Sequence, residues 1–235
     1  MPNLYLIPCA LETGTELQIL TPQVADVLKS TKTFFVEDVR SARRFISACK
    51  LGVVIEELQF EVVDKKTKRE KIQSLFKKYK GQDIGIISEA GCPGVADPGA
   101  VSVALAHEMN FKVIPLIGAS SILLSLMASG LNGQRFEFHG YLPINREDRE
   151  RSLKFIETKI ARDGSANLFI ETPFRNNQML DSITTICAKN LDLTIAADIT
   201  GANEFIQTKS VKDWSTKKPE LHKRPVIFIL GRKLV

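Results

Sequence analysis

The chain predicts an α/β protein with two sheet-containing domains. Short apolar runs alternate with amphipathic segments along its 235 residues, a rhythm that fits neither a helical bundle nor a β-sandwich. A twelve-residue loop rich in Gly and Pro, Ser88 to Gly99, follows the apolar run Asp83-Ile-Gly-Ile-Ile87 without a spacer. The chain also changes character after Asn132-Gly133. At roughly 100–200 residues per domain, this length allows one large domain or two small ones. The expected division is an N-terminal α/β domain over 1–132 and a C-terminal α/β domain over 133–235.

The elements follow in order. Leu4-Tyr-Leu-Ile7 reads as the first strand, and Thr21-Pro22 starts a helix, with Thr as cap and Pro at the first helical position. Thr33-Phe-Phe-Val36 is the second strand, and Ser41 opens a helix to about Ala48. Between Lys66 and Tyr79 the apolar residues Ile72, Leu75, Phe76 and Tyr79 fall at helical spacing, so the lysines face outward. Ala100–Met109 is expected helical, Lys112–Leu116 a strand and Ala119–Ser129 a buried helix. In the second half, strands are expected at Phe136–Tyr141, Asn167–Ile170, Leu193–Ala197, Phe205–Val211 and Val226–Leu230. Helices are expected near Arg146–Ile160 and Asn177–Ala188.

Composition excludes several classes. A hydrophobic fraction of 44% and a charged fraction of 25% are those of an ordinary globular protein, not a disordered chain. The start Met1-Pro-Asn-Leu-Tyr lacks the basic and apolar regions of a secretory signal, and no window reaches the ~18 apolar residues of a membrane span. A cytoplasmic location without membrane association is therefore expected. Cys9, Cys49, Cys92 and Cys187 lie far apart with no Cys-x-x-Cys pair, which argues against a disulfide framework and a structural zinc site. The three histidines add no metal pattern. The net charge of +5 is concentrated: Lys65, Lys66, Lys68, Arg69, Lys71, Lys77, Lys78 and Lys80 face only Asp64 and Glu70. Arg40, Arg43 and Arg44 form a second cluster, and Arg146, Arg149 and Arg151 a third that is interleaved with acids. Such clusters suit a polyanion such as RNA, or serve as solvated helix faces.

Four strand ends carry polar chemistry: the Ser88 loop, Ile117-Gly-Ala-Ser-Ser121, Glu171-Thr-Pro-Phe-Arg175 and Asp198-Ile-Thr200. Ligands of open α/β sheets lie beyond the carboxyl ends of strands. The Gly and Pro residues of the Ser88 loop bend the backbone and free its amides, and Ser88, Glu89 and Asp97 add polar groups. Gly118 with Ser120 and Ser121 either seats a carboxylate or phosphate at a helix N-terminus or simply caps that helix. Neither a Walker loop nor a Gly-x-Gly-x-x-Gly fingerprint is present, which weighs against a nucleoside triphosphate or nicotinamide cofactor.

Ser88-Glu-Ala-Gly-Cys-Pro-Gly-Val-Ala-Asp-Pro-Gly99 resembles the Ser-Asp-Ala-Gly-Thr-Pro-x-x-x-Asp-Pro-Gly signature of the 16S ribosomal RNA cytidine 2′-O-methyltransferases. That family is a branch of the tetrapyrrole-methylase-like group (class III). Val36-Glu-Asp-Val-Arg40 is similar to its Ala-Glu-Asp-Thr-Arg, and Gly118-Ala-Ser-Ser121 with Ala128-Ser-Gly-Leu131 to its Gly-Pro-Ser-Ala and Ala-Ser-Gly-Leu. Phe138-His-Gly-Tyr-Leu-Pro143 and Phe169-Ile-Glu-Thr-Pro-Phe-Arg175 continue the match in the same order. Several matches in one order are more specific than any one alone.

The resemblance implies two α/β domains, a homodimer, S-adenosylmethionine bound in the cleft between the domains, and methyl transfer without a metal. Carried onto this chain, the cofactor contacts it implies are Ala10, Ser88, Gly91, Pro93, Ser120 and Ser121, with Ile170, Glu171, Ile199 and Thr200 from the second domain. Some motifs depart from the family. Its first loop, Thr-Pro-Ile-Gly-Asn-Leu-Gly-Asp, is here Ile7-Pro-Cys-Ala-Leu-Glu-Thr-Gly14, and its His-Glu-His-Asn-Glu stretch after the third strand is missing, with Glu56-Glu-Leu-Gln-Phe-Glu61 near that place. A C-terminal extension found in many members is not seen.

The expected reaction is direct displacement by a substrate oxygen on the activated methyl group. A ribose hydroxyl needs its proton removed as the bond forms. Asp38 is a candidate base or orienting group, or else the cap of the following helix; Glu37 is a second candidate, and Arg40 a phosphate holder. Three functions stay open at this point: 2′-O-methylation of ribosomal RNA of the small subunit, methylation of a small tetrapyrrole or protein side chain, and non-catalytic cofactor binding. The basic clusters favour the first over the second.

Overall fold

In the computed structural model, which describes residues 1–233, the chain forms two compact units that meet in sequence at Ser120 and Ser121. The first unit runs β1 (Asn3–Ile7), α1 (Glu16–Ile19), α2 (Pro22–Ser30), β2 (Thr33–Val36), α3 (Val39–Ala48), β3 (Gln59–Val62), α4 (Arg69–Lys78), β4 (Ile84–Ile87), α5 (Gly99–Glu108) and β5 (Lys112–Pro115). Among the described residues its strands are all parallel, in the order β3-β2-β4-β1-β5. A strand in the middle of a covered parallel sheet is apolar on both faces. Phe34, Phe35 and Val36 of β2 meet that requirement, and Thr33 before them is buried as well.

The alternation of side chains along β2 builds two cores. Phe34 joins the cluster with Val24 and Leu28 of α2 and Phe45 and Ile46 of α3. Phe35 points the other way, edge-on to Phe76 of α4 at 5.2 Å, in the cluster that includes Leu105 of α5. So α2 and α3 cover one face and α4 and α5 the other. The chain therefore leaves β1 toward one face and the neighbouring β4 toward the opposite face.

The second unit runs α6 (Ser121–Ser129), β6 (Phe136–Tyr141), α7 (Arg146–Asp163), β7 (Ala166–Ile170), α8 (Asn176–Ile186), β8 (Asp192–Ala197), β9 (Phe205–Ser210), α9 (Val211–Thr216) and β10 (Val226–Gly231). Its mixed sheet has the order β6-β7-β10-β8-β9. Among the described residues only β6 and β7 pair in parallel there; β10 is antiparallel to both β7 and β8. The carboxyl ends of β6, β7 and β8 consequently share one edge. Leu153, Ile156 and Ile160 of α7 pack with Met179, Leu180 and Ile183 of α8 and with Trp214 of α9. The Trp214 indole N–H donates to the Leu193 carbonyl at 2.8 Å, so the buried ring leaves no polar atom stranded.

Several sequence-based boundaries shift for local reasons. The helix expected from Ser41 begins at Val39, because Asp38 caps it by accepting the Ser41 N–H at 2.7 Å. The basic helix begins at Arg69 rather than Lys66, since Asp64 and Thr67 close a turn of their own: the Asp64 carboxylate accepts the Lys66 N–H at 3.0 Å and the Thr67 hydroxyl at 2.7 Å. Glu56–Glu61 is not the segment after the third strand; it forms a single 3-10 turn and most of β3 itself, and the residues that follow β3 are Val63-Asp-Lys-Lys-Thr-Lys68. Nor is α6 wholly buried, for Leu123 and Met127 are exposed. The unit boundary places α6 with the second sheet, where it packs on β9 and β10. All four cysteines are free, and Cys9, Cys49 and Cys187 are buried.

Candidate active site

Where the chain leaves two neighbouring parallel strands in opposite directions, the loops diverge and leave a crevice at their carboxyl ends. In the first unit that point lies between β1 and β4, and the loops are tied there. Cys9 and Gly91 exchange two backbone hydrogen bonds, Cys9 N–H to the Gly91 carbonyl at 2.9 Å and Gly91 N–H to the Cys9 carbonyl at 3.2 Å. The Cys92 thiol donates to the Ala119 carbonyl at 3.3 Å, which brings in the loop after β5. Gly118 packs against Pro8 so tightly that a Cβ would lie 2.2 Å from the Pro8 Cβ. Ala10, Gly91, Pro93 and Ser120 are thus neighbours of these ties, gathered at one edge of the sheet.

The Gly-rich loop takes backbone that L side chains rarely adopt, with φ of +72° at Gly91 and +82° at Gly94. Asp97 holds the loop in this shape. Its Oδ1 accepts the Gly94 N–H at 2.6 Å and the Gly99 N–H at 2.7 Å. Its other oxygen, Oδ2, is buried with no partner among the described residues, as is the hydroxyl of Ser102. Both residues line a cavity of about 10 Å³ with Glu37, Ser88 and Val63. Burial raises the Asp97 carboxyl above its ordinary range, against the two amide bonds that lower it. Ser88 is buried, and its hydroxyl makes only long bonds, 3.4 and 3.5 Å, to the carbonyls of Gly91 and Ala90.

Glu37 and Asp38 follow β2, one strand over from β4. Partial burial raises the Glu37 carboxyl above its ordinary value, with further repulsion from Asp97, Glu89 and Asp64; the Glu89 N–H, donating at 3.3 Å, offsets part of it. Asp38 is exposed and already engaged as a helix cap, and the Ser41 amide holds its carboxyl below the usual range. Arg40 lies exposed in the first turn of α3.

In the second unit, Ile170 ends β7 and Glu171 follows it, and Ile199 and Thr200 follow β8, at the same sheet edge. Glu171 is buried, and its Oε1 accepts the Thr172 N–H and an Arg175 guanidinium N–H, both at 2.6 Å. Asp198 and Thr200 both have positive φ, +48° and +72°, and Arg224 fixes Asp198 through an ion pair of 2.6 Å. The Thr200 hydroxyl is buried without a partner among the described residues. A strained, β-branched residue with an orphaned polar atom is the kind of feature that persists at ligand sites. Ser121 opens α6. No group of three or more His, Cys, Asp or Glu suited to a metal ion occurs among the described residues.

Sequence reasoning found the four strand ends but missed the tie of Cys9 to Gly91, the clamp of Asp97 on two amides, and the orphaned Ser102 hydroxyl. The only signal for the clamp was the Asp-Pro-Gly ending of the loop.

No family model matches the chain. It is 28% identical over 204 residues to the ribosomal RNA small subunit methyltransferase I of Synechocystis, an alignment that covers 87% of this chain and 69% of the relative. The protein of that name from Vibrio cholerae is also 28% identical, over 88% of this chain and 68% of its own length. Among solved structures, the methyltransferase CobJ matches with a TM-score of 0.65 at 15% identity, over 99% of this chain and 95% of that one. Uroporphyrin-III C-methyltransferase from Thermus thermophilus, complexed with S-adenosyl homocysteine, matches with a TM-score of 0.58 at 14% identity, over 97% of both chains. The structural likenesses establish the fold, that of the tetrapyrrole methylases.

Proposed function

We propose that this chain, a sequence relative of the small-subunit ribosomal RNA methyltransferases on a tetrapyrrole-methylase fold, transfers a methyl group from S-adenosylmethionine to a ribose 2′-hydroxyl of ribosomal RNA. The relatives support the reaction and the substrate class. The structural observation that carries the site is the bonded pair Cys9 and Gly91, which holds the β1 and β4 loops at the crevice where they diverge. CobJ and uroporphyrin-III C-methyltransferase share the fold at 15% identity or less, so they do not argue for a tetrapyrrole substrate.

The residues present fit the cofactor. Ala10, Ser88, Gly91, Pro93 and Ser120 offer backbone groups and hydroxyls around a bent loop, and the long bonds of Ser88 leave its hydroxyl available to a better acceptor. In the second unit the candidates are Ser121, Ile170, Glu171, Ile199 and Thr200, of which Thr200 has a buried hydroxyl with no partner among the described residues. When bound, S-adenosylmethionine supplies a methyl group activated for displacement by an in-line oxygen. Glu37 is the better base of the two candidate carboxylates: its raised affinity for a proton suits abstraction from a hydroxyl, whereas the Asp38 carboxyl is engaged in capping α3. Asp38 then orients the first turn of α3, from which Arg40 reaches a phosphate.

A homodimer and a cytoplasmic location complete the reading. Exposed Tyr141 and Phe155, flanking an open groove of about 440 Å³ in the second unit, support a contact between copies. Among the described residues no helix is long and apolar enough to cross a membrane.

The test is incubation of the purified protein with labelled S-adenosylmethionine and small ribosomal subunits from cells lacking it. Label in RNA, mapped to a 2′-O-methyl nucleotide, is the expected result; label confined to protein or tetrapyrrole extracts overturns the substrate, and no cofactor binding by calorimetry overturns the site.

A further inference from the structure

We infer that the loop Asp64–Lys68 with Arg40 forms a cationic rim at the carboxyl edge of the first sheet, and that this rim takes the phosphate backbone of single-stranded RNA. The inference rests on the RNA reading above and adds where on this chain the polyanion lies.

The strand order sets the geometry. Because the strands of the first sheet are parallel in the order β3-β2-β4-β1-β5, the loops at the carboxyl edge line up in that order too. The lysine loop after β3 comes first, Glu37 and Asp38 after β2 second, and the Gly-rich loop after β4 third. Neighbouring strands lie about 4.8 Å apart, so the lysine loop stands roughly 10 Å from the Gly-rich loop with the candidate base between them. A chain of nucleotides held on the rim would carry a ribose hydroxyl over Glu37, toward the loop proposed to hold the cofactor.

The loop is built rather than slack. Val63 N–H donates to the Val36 carbonyl at 2.8 Å, continuing the ladder from β3 to β2. Asp64 Oδ1 accepts the Lys66 N–H and the Thr67 hydroxyl, while the Asp64 N–H donates to Thr67 Oγ1 at 3.0 Å. The one acid of the loop is thereby occupied with its own turn. Lys65, Lys66 and Lys68 are exposed, and none forms an ion pair among the described residues. Farther along the same segment two cations are paired, Arg69 with Glu108 at 2.6 Å and Lys78 with Glu61 at 2.7 Å. Val63 and Glu37 line one cavity, and Asp64 contributes to the field at Glu37, so the loop adjoins the candidate base.

The distinction between a binding rim and a solvated surface is electrostatic and positional. Each lysine that neutralises a phosphate of a single strand adds about 0.7 to the slope of log affinity against log salt. The test compares three proteins for binding of a fluorescein-labelled, unstructured single-stranded RNA and for methylation of small-subunit RNA. The first is wild type and the second K65Q/K66Q/K68Q. The third, K77Q/K80Q/K112Q, removes the same charge from the opposite, amino-terminal edge, where Lys77 and Lys80 precede β4 and Lys112 opens β5. The rim variant is expected to bind roughly ten-fold more weakly, with a salt slope shallower by about 2, while the charge-matched variant changes little. Cofactor affinity and melting temperature stay at wild-type values in both, and K65R/K66R/K68R restores RNA binding. Equal losses in the two Gln variants, or no loss in the rim variant of a protein that does methylate RNA, overturn the inference alone. A wild-type protein that neither binds nor methylates RNA overturns the underlying reading, and the inference with it.

Discussion

Gly118 leaves no room for a side chain beside Pro8: a Cβ there would stand 2.2 Å from the Pro8 Cβ and 2.5 Å from its Cγ. Both residues follow strands whose loops frame the crevice, so displacement of either propagates to Cys9 and Ala119. Gly118→Ala should cost about 1–3 kcal/mol of stability, the usual penalty for overpacking a tight contact, and weaken cofactor binding. Adding Pro8→Ala should recover part of both, as measured by thermal melting and calorimetry. An unchanged melting temperature in the single variant would mean that the loops yield freely.

Asp97 makes a prediction that separates shape from charge. Asp97→Ala strands the amides of Gly94 and Gly99 and should destabilise by about 1–3 kcal/mol, whereas Asp97→Asn keeps an oxygen for both. The carboxyl is raised, so the folded protein binds this proton more tightly than the unfolded chain. That favours folding below the ordinary value of 3.8 and is lost as pH rises through the raised value. Asp97→Asn cannot titrate and should therefore gain stability relative to wild type across that window. Urea denaturation from acidic to neutral pH would show parallel curves if the carboxyl were unperturbed.

For Glu37, methyl transfer should rise with pH through a value above the ordinary 4.5, because the base must be ionised and burial holds its proton. Glu37→Gln should lower the single-turnover rate by 10²–10⁴-fold, the usual worth of a general base, and leave cofactor affinity intact. Asp38→Asn should keep the cap on Ser41 and the rate, whereas Asp38→Ala lowers the melting temperature. A fast Glu37→Gln enzyme would return the role of base to Asp38 or to solvent.

Thr200→Val isolates one hydroxyl at nearly constant shape. The buried Oγ1 has no partner among the described residues, so its removal should raise stability by about 1 kcal/mol. If the cofactor uses that hydroxyl, its affinity should fall several-fold in the same variant. Opposite signs in melting and in titration are the expected signature, and loss of both would mark Thr200 as purely structural.

Much of this architecture was legible because central strands such as Phe34–Val36 and Val226–Leu230 are unbroken apolar runs. The edge strand β3 was not, since Gln59 and Glu61 break its apolar pattern and only Phe60 packs inward, stacked on Phe34 at 5.8 Å. α9 was hidden behind Val211, which reads as the end of a strand until Ser210 Oγ accepts the Asp213 N–H and starts a helix there. Within the site, polar residues after strands were visible from composition. The Asp97 clamp and the orphaned atoms of Ser102 and Thr200 depend on which backbone groups come near in space, and a linear pattern carries no such information.

Burial also decides the chemistry of the thiols. Cys187 is pushed up to about 12 and Cys49 to about 11, and Cys9 is raised as well. Thiolates are scarce at these positions, so alkylating reagents and mild oxidants should pass them by. Cys92 alone is partly exposed, and it sits within the Gly-rich loop with its sulfur on Ala119. Burial and Asp97 raise the Cys92 thiol as well, so exposure alone sets it apart; a maleimide dye applied at mildly alkaline pH should mark that position, and its emission would report arrival of a ligand at that loop without any engineered residue.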